Sequence, residues 1–105
     1  MILGPSGQNI YPEEVETVIN SQPYVVESLV IEDNGGLTAL IYPDFQQGAK
    51  DGMSQSEFVK YMEGTLSELN RELPNYAKLK KIEVMSEDFE RTPKKSIKRY
   101  LYQRS

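Results

Sequence analysis

The chain has 105 residues, of which 38% are hydrophobic and 27% charged, and its formal net charge is −4. This length supports a single domain, and the composition is typical of a soluble globular protein. Cysteine and histidine are absent, which excludes disulfides and Ser–His or Cys–His nucleophiles within the chain and argues against a zinc site. No apolar run is long enough to cross a bilayer, and the first residues lack a signal-peptide pattern, so we expect a cytoplasmic protein.

The charge is unevenly distributed along the chain. Residues 1–77 contain three basic and twelve acidic groups, a net charge of −9, whereas residues 78–105 contain nine basic and four acidic groups, a net charge of +5. A basic segment on an acidic body indicates an anionic partner or an acidic neighbouring surface. Taken alone, the charge pattern favours the simpler interpretation of a single solvated basic face.

The N-terminal part predicts a strand fragment, a turn and a helix. Residues 1–3 are apolar, and the Gly-Pro-Ser-Gly sequence at residues 4–7 is typical of a turn. A helix is predicted over residues 12–20. Pro12 suits its first position, because the missing N–H would have no partner there, and the apolar residues that follow recur with helical spacing.

A β-hairpin is predicted next. Two apolar runs, residues 25–32 and 37–42, flank an Asn34-Gly35 pair. Asn-Gly is the strongest short hairpin signal, because both residues adopt a positive φ readily. Residues 44–53 are polar and contain glycine, so they are predicted to form a loop.

A long amphipathic helix is predicted over residues 55–73. It begins with the capping-box pattern of Ser54 and Glu57, carries apolar residues at spacings of three and four, and ends before Pro74.

The C-terminal part predicts a strand at residues 78–85, a loop at 86–93 and a short helix at 95–102. The fold class is therefore α+β: a small, mostly three-stranded antiparallel sheet with a hairpin, packed against two or three helices.

The densest motif is a basic stretch at residues 91–99 (RTPKKSIKR), which contains a Thr-Pro turn. A cluster of cations on a short turn suits a polyanion such as a nucleotide phosphate. The stretch is a candidate catalytic element, a candidate binding patch or a solvated tail. One alternative function is a stand-alone module that binds anions or nucleic acids, with Tyr100 and Tyr102 stacking on bases. The acidic body and the lack of an RNA-binding motif argue against this alternative.

Three segments together resemble one family. Residues 7–16 (GQNIYPEEVE) resemble the pattern G-x-N-I-x-P-x-E-I/V-E, residues 73–76 (LPNY) resemble L-P-x-Y, and residues 91–99 resemble K/R-T-P-x-G-K-I-x-R. In this order and spacing they are similar to the C-terminal domain of AMP-forming acyl-CoA synthetases, which are adenylate-forming enzymes. Within that family the chain most resembles bacterial long-chain fatty acid–CoA ligases.

The resemblance implies that residues 1–105 are the mobile C-terminal domain of a larger enzyme, excised from its large N-terminal domain and hinge. Such an enzyme uses ATP, Mg²⁺ and CoA to activate a fatty acid, first as an acyl-adenylate and then as a thioester, and this domain rotates between the two steps. The isolated domain is expected to be inactive and to bind no cofactor, metal or nucleic acid. Any peripheral attachment to a membrane would occur through the absent domain.

The same resemblance suggests site residues. Gly7, Gln8 and Asn9 correspond to the loop that lines the CoA channel. The family lysine that assists adenylation corresponds to Ser96, and Lys95 stands where the family has glycine. Lys95 is therefore our candidate catalytic residue, supplying its ammonium from a shifted turn. Three alternatives stay open: a slow enzyme without this lysine, an engineered substitution at Ser96, or a turn whose lysines are merely exposed.

Overall fold

A computed structural model describes residues 2–4 and 7–103 of the chain; Pro5 and Ser6 of the predicted N-terminal turn lie outside this part. Groups of strands and helices follow one another along the chain, in an order that agrees with an α+β fold. They are β1 (Ile2–Leu3), β2 (Asn9–Ile10), α1 (Pro12–Asn20), β3 (Val25–Asp33), β4 (Gly36–Pro43), α2 (Phe45–Lys50), α3 (Gln55–Glu63), α4 (Leu66–Glu72) and β5 (Leu79–Val84). None of the helices in the described ranges is long and apolar enough to span a membrane.

The strands form two sheets. β1 pairs with β2 in a two-stranded antiparallel ribbon, and the main sheet has the order β3-β4-β5. β3 and β4 are antiparallel, as predicted, but β5 runs parallel to β4. The α+β class is confirmed, while the sheet is mixed because the three helices between β4 and β5 form the crossover that parallel strands require.

The first helix and the hairpin lie where the sequence predicts them. α1 begins at Pro12, with Glu13 and Glu14 in its first turn. At the hairpin turn, Asn34 has φ 53° and Gly35 has φ 78°. Two successive positive φ values are characteristic of the two-residue turn that the Asn-Gly pair predicts.

The predicted loop at residues 44–53 contains a helix instead. The Asp44 carboxylate caps α2 by accepting a hydrogen bond from the Gln47 amide at 3.1 Å. Gly48 lets α2 approach α3 closely, because a β-carbon at this position would lie 2.7 Å from the Phe58 ring. This polar segment therefore forms a capped helix that packs against an aromatic ring.

The predicted long helix is divided in two. α3 has the expected capping box and ends at Glu63, and α4 begins at Leu66. At the break, the buried Thr65 donates its hydroxyl to the Met62 carbonyl at 2.7 Å. Glycine at position 64 weakens the helix interior, and the hydroxyl satisfies a carbonyl at the end of α3. The apolar stripe continues across the break, since Met62 and Leu69 are both fully buried.

The main core lies between the helices and one face of the sheet. Every long element contributes buried side chains to it, including Ile19 of α1, Ile41 of β4, Phe58 of α3 and Leu69 of α4.

A second apolar cluster covers the opposite face of the sheet. Leu29, Leu40 and Phe89 are buried there, with Ile97 and Tyr102 packed against them. The C-terminal segment therefore packs across the sheet.

The predicted helix at residues 95–102 is wrong. Ile97 pairs with Arg91 in an antiparallel bridge, and only a short 3-10 helix, Arg99–Leu101, follows. The positive φ of Lys95 is incompatible with a right-handed helix.

A partly buried ion pair connects the C-terminal segment to α1. The Arg99 guanidinium donates to both carboxylate oxygens of Glu16, at 2.9 and 2.5 Å. Glu16 also accepts a hydrogen bond from the Val30 amide at 2.8 Å, and its side chain is only 8% exposed. Glu16 raises the pKa of Arg99, although partial burial opposes the rise. The pair thus joins α1, β3 and the C-terminal segment.

Replacing Arg99 is expected to destabilise the domain. Arg99→Ala leaves the Glu16 carboxylate buried with only the Val30 amide as a partner, which we expect to lower the free energy of unfolding by about 2 kcal/mol. Urea unfolding measures the change. Arg71→Ala, on the exposed face of α4, is the matched control and is expected to change it by less than about 0.5 kcal/mol. Equal losses in the two variants would contradict the structural role of the pair.

The capping box of α3 is expected to make stability depend on pH. The Ser54 amide donates to the Glu57 carboxylate at 2.8 Å, and the Ser54 hydroxyl accepts from the Glu57 amide at 3.2 Å. Hydrogen bonding to Ser54 lowers the pKa of the Glu57 carboxyl. The ionised form therefore stabilises the folded state above the unfolded pKa of about 4.3, and this contribution is lost as pH falls through the lower folded value. The difference in urea midpoint between wild type and Glu57→Gln should be largest at neutral pH and narrow below about pH 4. The same narrowing in Glu63→Gln, an exposed carboxylate of the same helix, would contradict this origin.

Candidate functional site

Residues 92–96 form a tight turn closed by backbone hydrogen bonds. The Lys95 amide donates to the Thr92 carbonyl at 2.8 Å, and the Thr92 amide donates to the Ser96 carbonyl at 2.8 Å. The Thr92 hydroxyl accepts a further bond from the Ser96 amide at 3.3 Å. Pro93 occupies the second position of this β-turn, where its fixed φ is favourable. We call residues 92–96 the basic turn.

Lys95 adopts a backbone conformation that normally favours glycine. Its φ is +67°, in the left-handed region. For a residue with a β-carbon this costs about 1 kcal/mol. The family pattern has glycine at the corresponding position, and the geometry of the basic turn explains why glycine would suit it.

The side chains of the basic turn face solvent. Lys94, Lys95 and Ser96 are exposed, and Lys98, which follows the turn, is half-buried. Within the part of the chain that the structure describes, no carboxylate pairs with any of these three lysines. Their ammonium groups are therefore available to an anion supplied from outside the domain.

Arg91 lies at the base of the basic turn and contacts three partners. Its guanidinium donates to Glu27 of β3 at 3.3 Å, to Asp88 at 3.2 Å and to the carbonyl of Lys95 at 3.3 Å. Although burial alone would lower it, the two carboxylates raise the pKa of Arg91. Arg91 and Arg99 thus anchor the basic turn on both flanks, the first to β3 and the second to α1.

The glycine loop lies on a separate part of the surface. Gly7, Gln8 and Asn9 are exposed, and Gly7 has φ +78°. Among the described residues, no hydrogen bond or ion pair joins this loop to the basic turn. α1 connects the two segments, because it begins directly after the loop and holds Arg99 through Glu16.

Sequence reasoning missed the three carboxylates that hold the arginines on both flanks of the basic turn: Glu16, Glu27 and Asp88. A signal for Glu16 was present. Pro12, Val15 and Ile19 are spaced at three and four residues, and Glu16 falls on the same buried face of α1. A carboxylate on a buried face requires a partner, and the basic C-terminal stretch is the natural source of one.

The structure leaves little support for base stacking by the C-terminal tyrosines. Tyr102 packs edge-on against Phe89 at 5.2 Å between ring centroids, and its hydroxyl accepts a hydrogen bond from the Glu90 amide. Only Tyr100, which is 68% exposed, is available for stacking. No group of three acidic side chains in residues 2–4 and 7–103 is arranged to hold a metal ion.

Comparisons with known proteins agree with the sequence resemblance. The profile of the family described as AMP-binding enzyme C-terminal domain matches residues 1–104. The fold is similar to part of MatB from Rhodopseudomonas palustris, with 26% identity and a TM-score of 0.67 over 96% of this chain and 19% of that chain. A Mycobacterium tuberculosis fatty acyl CoA synthetase gives 29% identity and a TM-score of 0.62 over 97% of this chain and 18% of that one.

A third similar structure is a double mutant of o-succinylbenzoate CoA synthetase (MenE) from Bacillus subtilis, with 28% identity and a TM-score of 0.65 over 94% of this chain and 18% of that one. A search of curated proteins gave no match. The chain spans less than a fifth of the length of these structures. Because the family profile matches almost all of its residues, the chain belongs to the AMP-binding enzyme C-terminal domain family.

Proposed function

We propose that this chain is the mobile C-terminal domain of an AMP-forming acyl-CoA ligase that acts on long-chain fatty acids. The observation that carries the proposal is the family match over residues 1–104, joined with a basic turn whose ammonium groups are exposed. The similarity to a fatty acyl CoA synthetase supports the substrate class. The large N-terminal domain would bind the fatty acid and most of the ATP.

The chemistry explains the need for a cation on a movable turn. A fatty acid carboxylate attacks the α-phosphorus of ATP, a P–O bond forms, and the bond to pyrophosphate breaks. Negative charge increases on the phosphoryl oxygens as pyrophosphate leaves, and a fixed cation stabilises that charge. The thiolate of CoA then attacks the acyl carbonyl and displaces AMP.

Lys95 is our candidate for that cation. Its ammonium has no partner within the described ranges, and its backbone is held at the amide by Thr92 and at the carbonyl by Arg91. Ser96, at the family lysine position, has no charge to offer. Lys94 is equally exposed, but neither its amide nor its carbonyl takes part in the hydrogen bonds that close the turn.

The glycine loop is our candidate for the second step. Gly7, Gln8 and Asn9 are exposed, and a glycine lets the backbone approach a ligand closely. We propose that this loop lines the path of the CoA pantetheine arm after the domain rotates. We propose that the large N-terminal domain holds most of the ATP and Mg²⁺ sites.

Removing the charge of Lys95 tests the first role. In the enzyme that joins this domain to its large domain, Lys95→Gln keeps the β-carbon and a polar side chain only one atom shorter, but removes the cation. We expect pyrophosphate release with ATP and a long-chain fatty acid to slow about 100-fold. The matched control, Lys94→Gln, removes the neighbouring charge and is expected to change the rate less than about three-fold.

Three outcomes would decide the details. Equal rates for wild type and Lys95→Gln would refute the role of Lys95. A large gain in Ser96→Lys would show that the family position still serves adenylation better. A higher rate with o-succinylbenzoate than with a long-chain fatty acid would refute the proposed substrate class.

Lys95→Gly is expected to change stability and activity in opposite directions. The substitution relieves about 1 kcal/mol of backbone strain at φ +67°, partly offset by the greater freedom of glycine in the unfolded chain. We expect the free energy of unfolding to rise by roughly 0.5 kcal/mol while adenylation slows as in Lys95→Gln. Lys94→Gly, at a position without positive φ, should not stabilise the domain; equal stabilisation at both positions would contradict the strain argument.

A further inference from the structure

We infer that Arg91 is a positioning residue: it holds the backbone of Lys95 in the left-handed conformation and thereby directs the Lys95 side chain. The inference rests on the proposed role of Lys95 and adds to it a residue that acts without touching the substrate. It follows from the contacts that Arg91 makes within the domain.

Lys95 needs a restraint that glycine would not need. A lysine at φ +67° is strained, and such a conformation persists only when the surrounding structure determines it. The Lys95 amide is held by the Thr92 carbonyl, within the turn itself. The Lys95 carbonyl is held by Arg91 Nη1, at 3.3 Å. Loss of the second contact would leave the peptide after Lys95 held only by the Ser96 amide, which donates to the Thr92 hydroxyl at 3.3 Å. We expect the left-handed conformation of Lys95, and with it the direction of the side chain, to be less tightly held.

Arg91 is itself fixed to the sheet. Its Nη2 donates to Glu27 Oε2 and to Asp88 Oδ1. Glu27 is held in turn, because its other carboxylate oxygen accepts a hydrogen bond from the Ser28 amide at 3.2 Å. Ser28 is buried in β3. The position of the Lys95 carbonyl is thus set by a chain of charged contacts that ends in the core sheet.

A lysine could not replace Arg91 in this arrangement. The planar guanidinium directs Nη1 to the turn and Nη2 to two carboxylates at the same time. An ammonium is a point charge, which would remain with Glu27 and Asp88 and leave the carbonyl. Arg91→Lys therefore separates positioning of the turn from simple charge neutralisation, because it keeps the positive charge and loses the contact with the Lys95 carbonyl.

The first test measures the turn directly. In the 105-residue chain, hydrogen exchange of the Lys95 amide is followed by NMR in wild type, Arg91→Ala, Arg91→Lys and the control Arg71→Ala. We expect about ten-fold faster exchange in both Arg91 variants and no change in the control. Unchanged exchange in Arg91→Ala would overturn the inference, as would full protection in Arg91→Lys.

The second test is a double-mutant cycle in the enzyme that contains both domains. Arg91→Ala is expected to slow pyrophosphate release about ten-fold by misplacing the cation. In a Lys95→Gln background the same substitution should change the rate by less than about two-fold, because no cation remains to be positioned. Thioester formation from supplied acyl-adenylate and CoA should remain within about two-fold of wild type, which excludes general misfolding.

The cycle separates the two proposals. Additive losses from Arg91→Ala and Lys95→Gln would overturn the positioning role while leaving Lys95 as the cation. A fully active Lys95→Gln would overturn the proposed role of Lys95, and faster amide exchange in Arg91→Ala would then still support the restraint on the turn.

Discussion

The arrangement of the C-terminal segment depends on one ion pair, between the buried Glu16 and the partly exposed Arg99. A carboxylate removed from water is costly unless charged partners and hydrogen bonds compensate it, and here a bidentate arginine and a β3 amide do so. The pair connects the helix that follows the glycine loop with the segment that follows the basic turn. The two surface features that the family resemblance assigns to different steps are therefore connected through this pair.

The sequence predicted those elements whose causes are local. The Asn34-Gly35 turn, the proline at the start of α1 and the capping box of Ser54 and Glu57 all act over a few residues, and all are present. The missed helix after Asp44 and the break at Gly64 also have local causes, whereas two other errors arose where distant contacts decide. The direction of β5 depends on the whole helical crossover, and the predicted C-terminal helix is prevented by the pairing of Arg91 with Ile97. For the site, motif spacing located the basic turn, but its supporting carboxylates come from α1 and β3.

The basic turn is an example of local strain maintained by long-range contacts. A glycine would adopt the left-handed conformation at little cost, whereas Lys95 adopts it because the Thr92 carbonyl and Arg91 hold its peptide groups. The side chain of a charged residue at such a position has a well-defined direction, but its strained backbone conformation does not stabilise the fold. Under the proposed role of Lys95, function and folding make opposing demands on this residue.

The contacts that anchor the basic turn also bear on the order in which the domain folds. Arg91 and Glu27 are 64 residues apart in sequence, and Arg99 and Glu16 are 83 residues apart. Closing loops of this length is slow compared with forming a helix or a hairpin, so these contacts form late. During synthesis, β3 and α1 emerge long before their arginine partners. The hydrogen bonds within the turn are local, but its anchors to β3 and α1 require those elements to be in place. We therefore expect the basic turn to be fixed against the domain only late in folding.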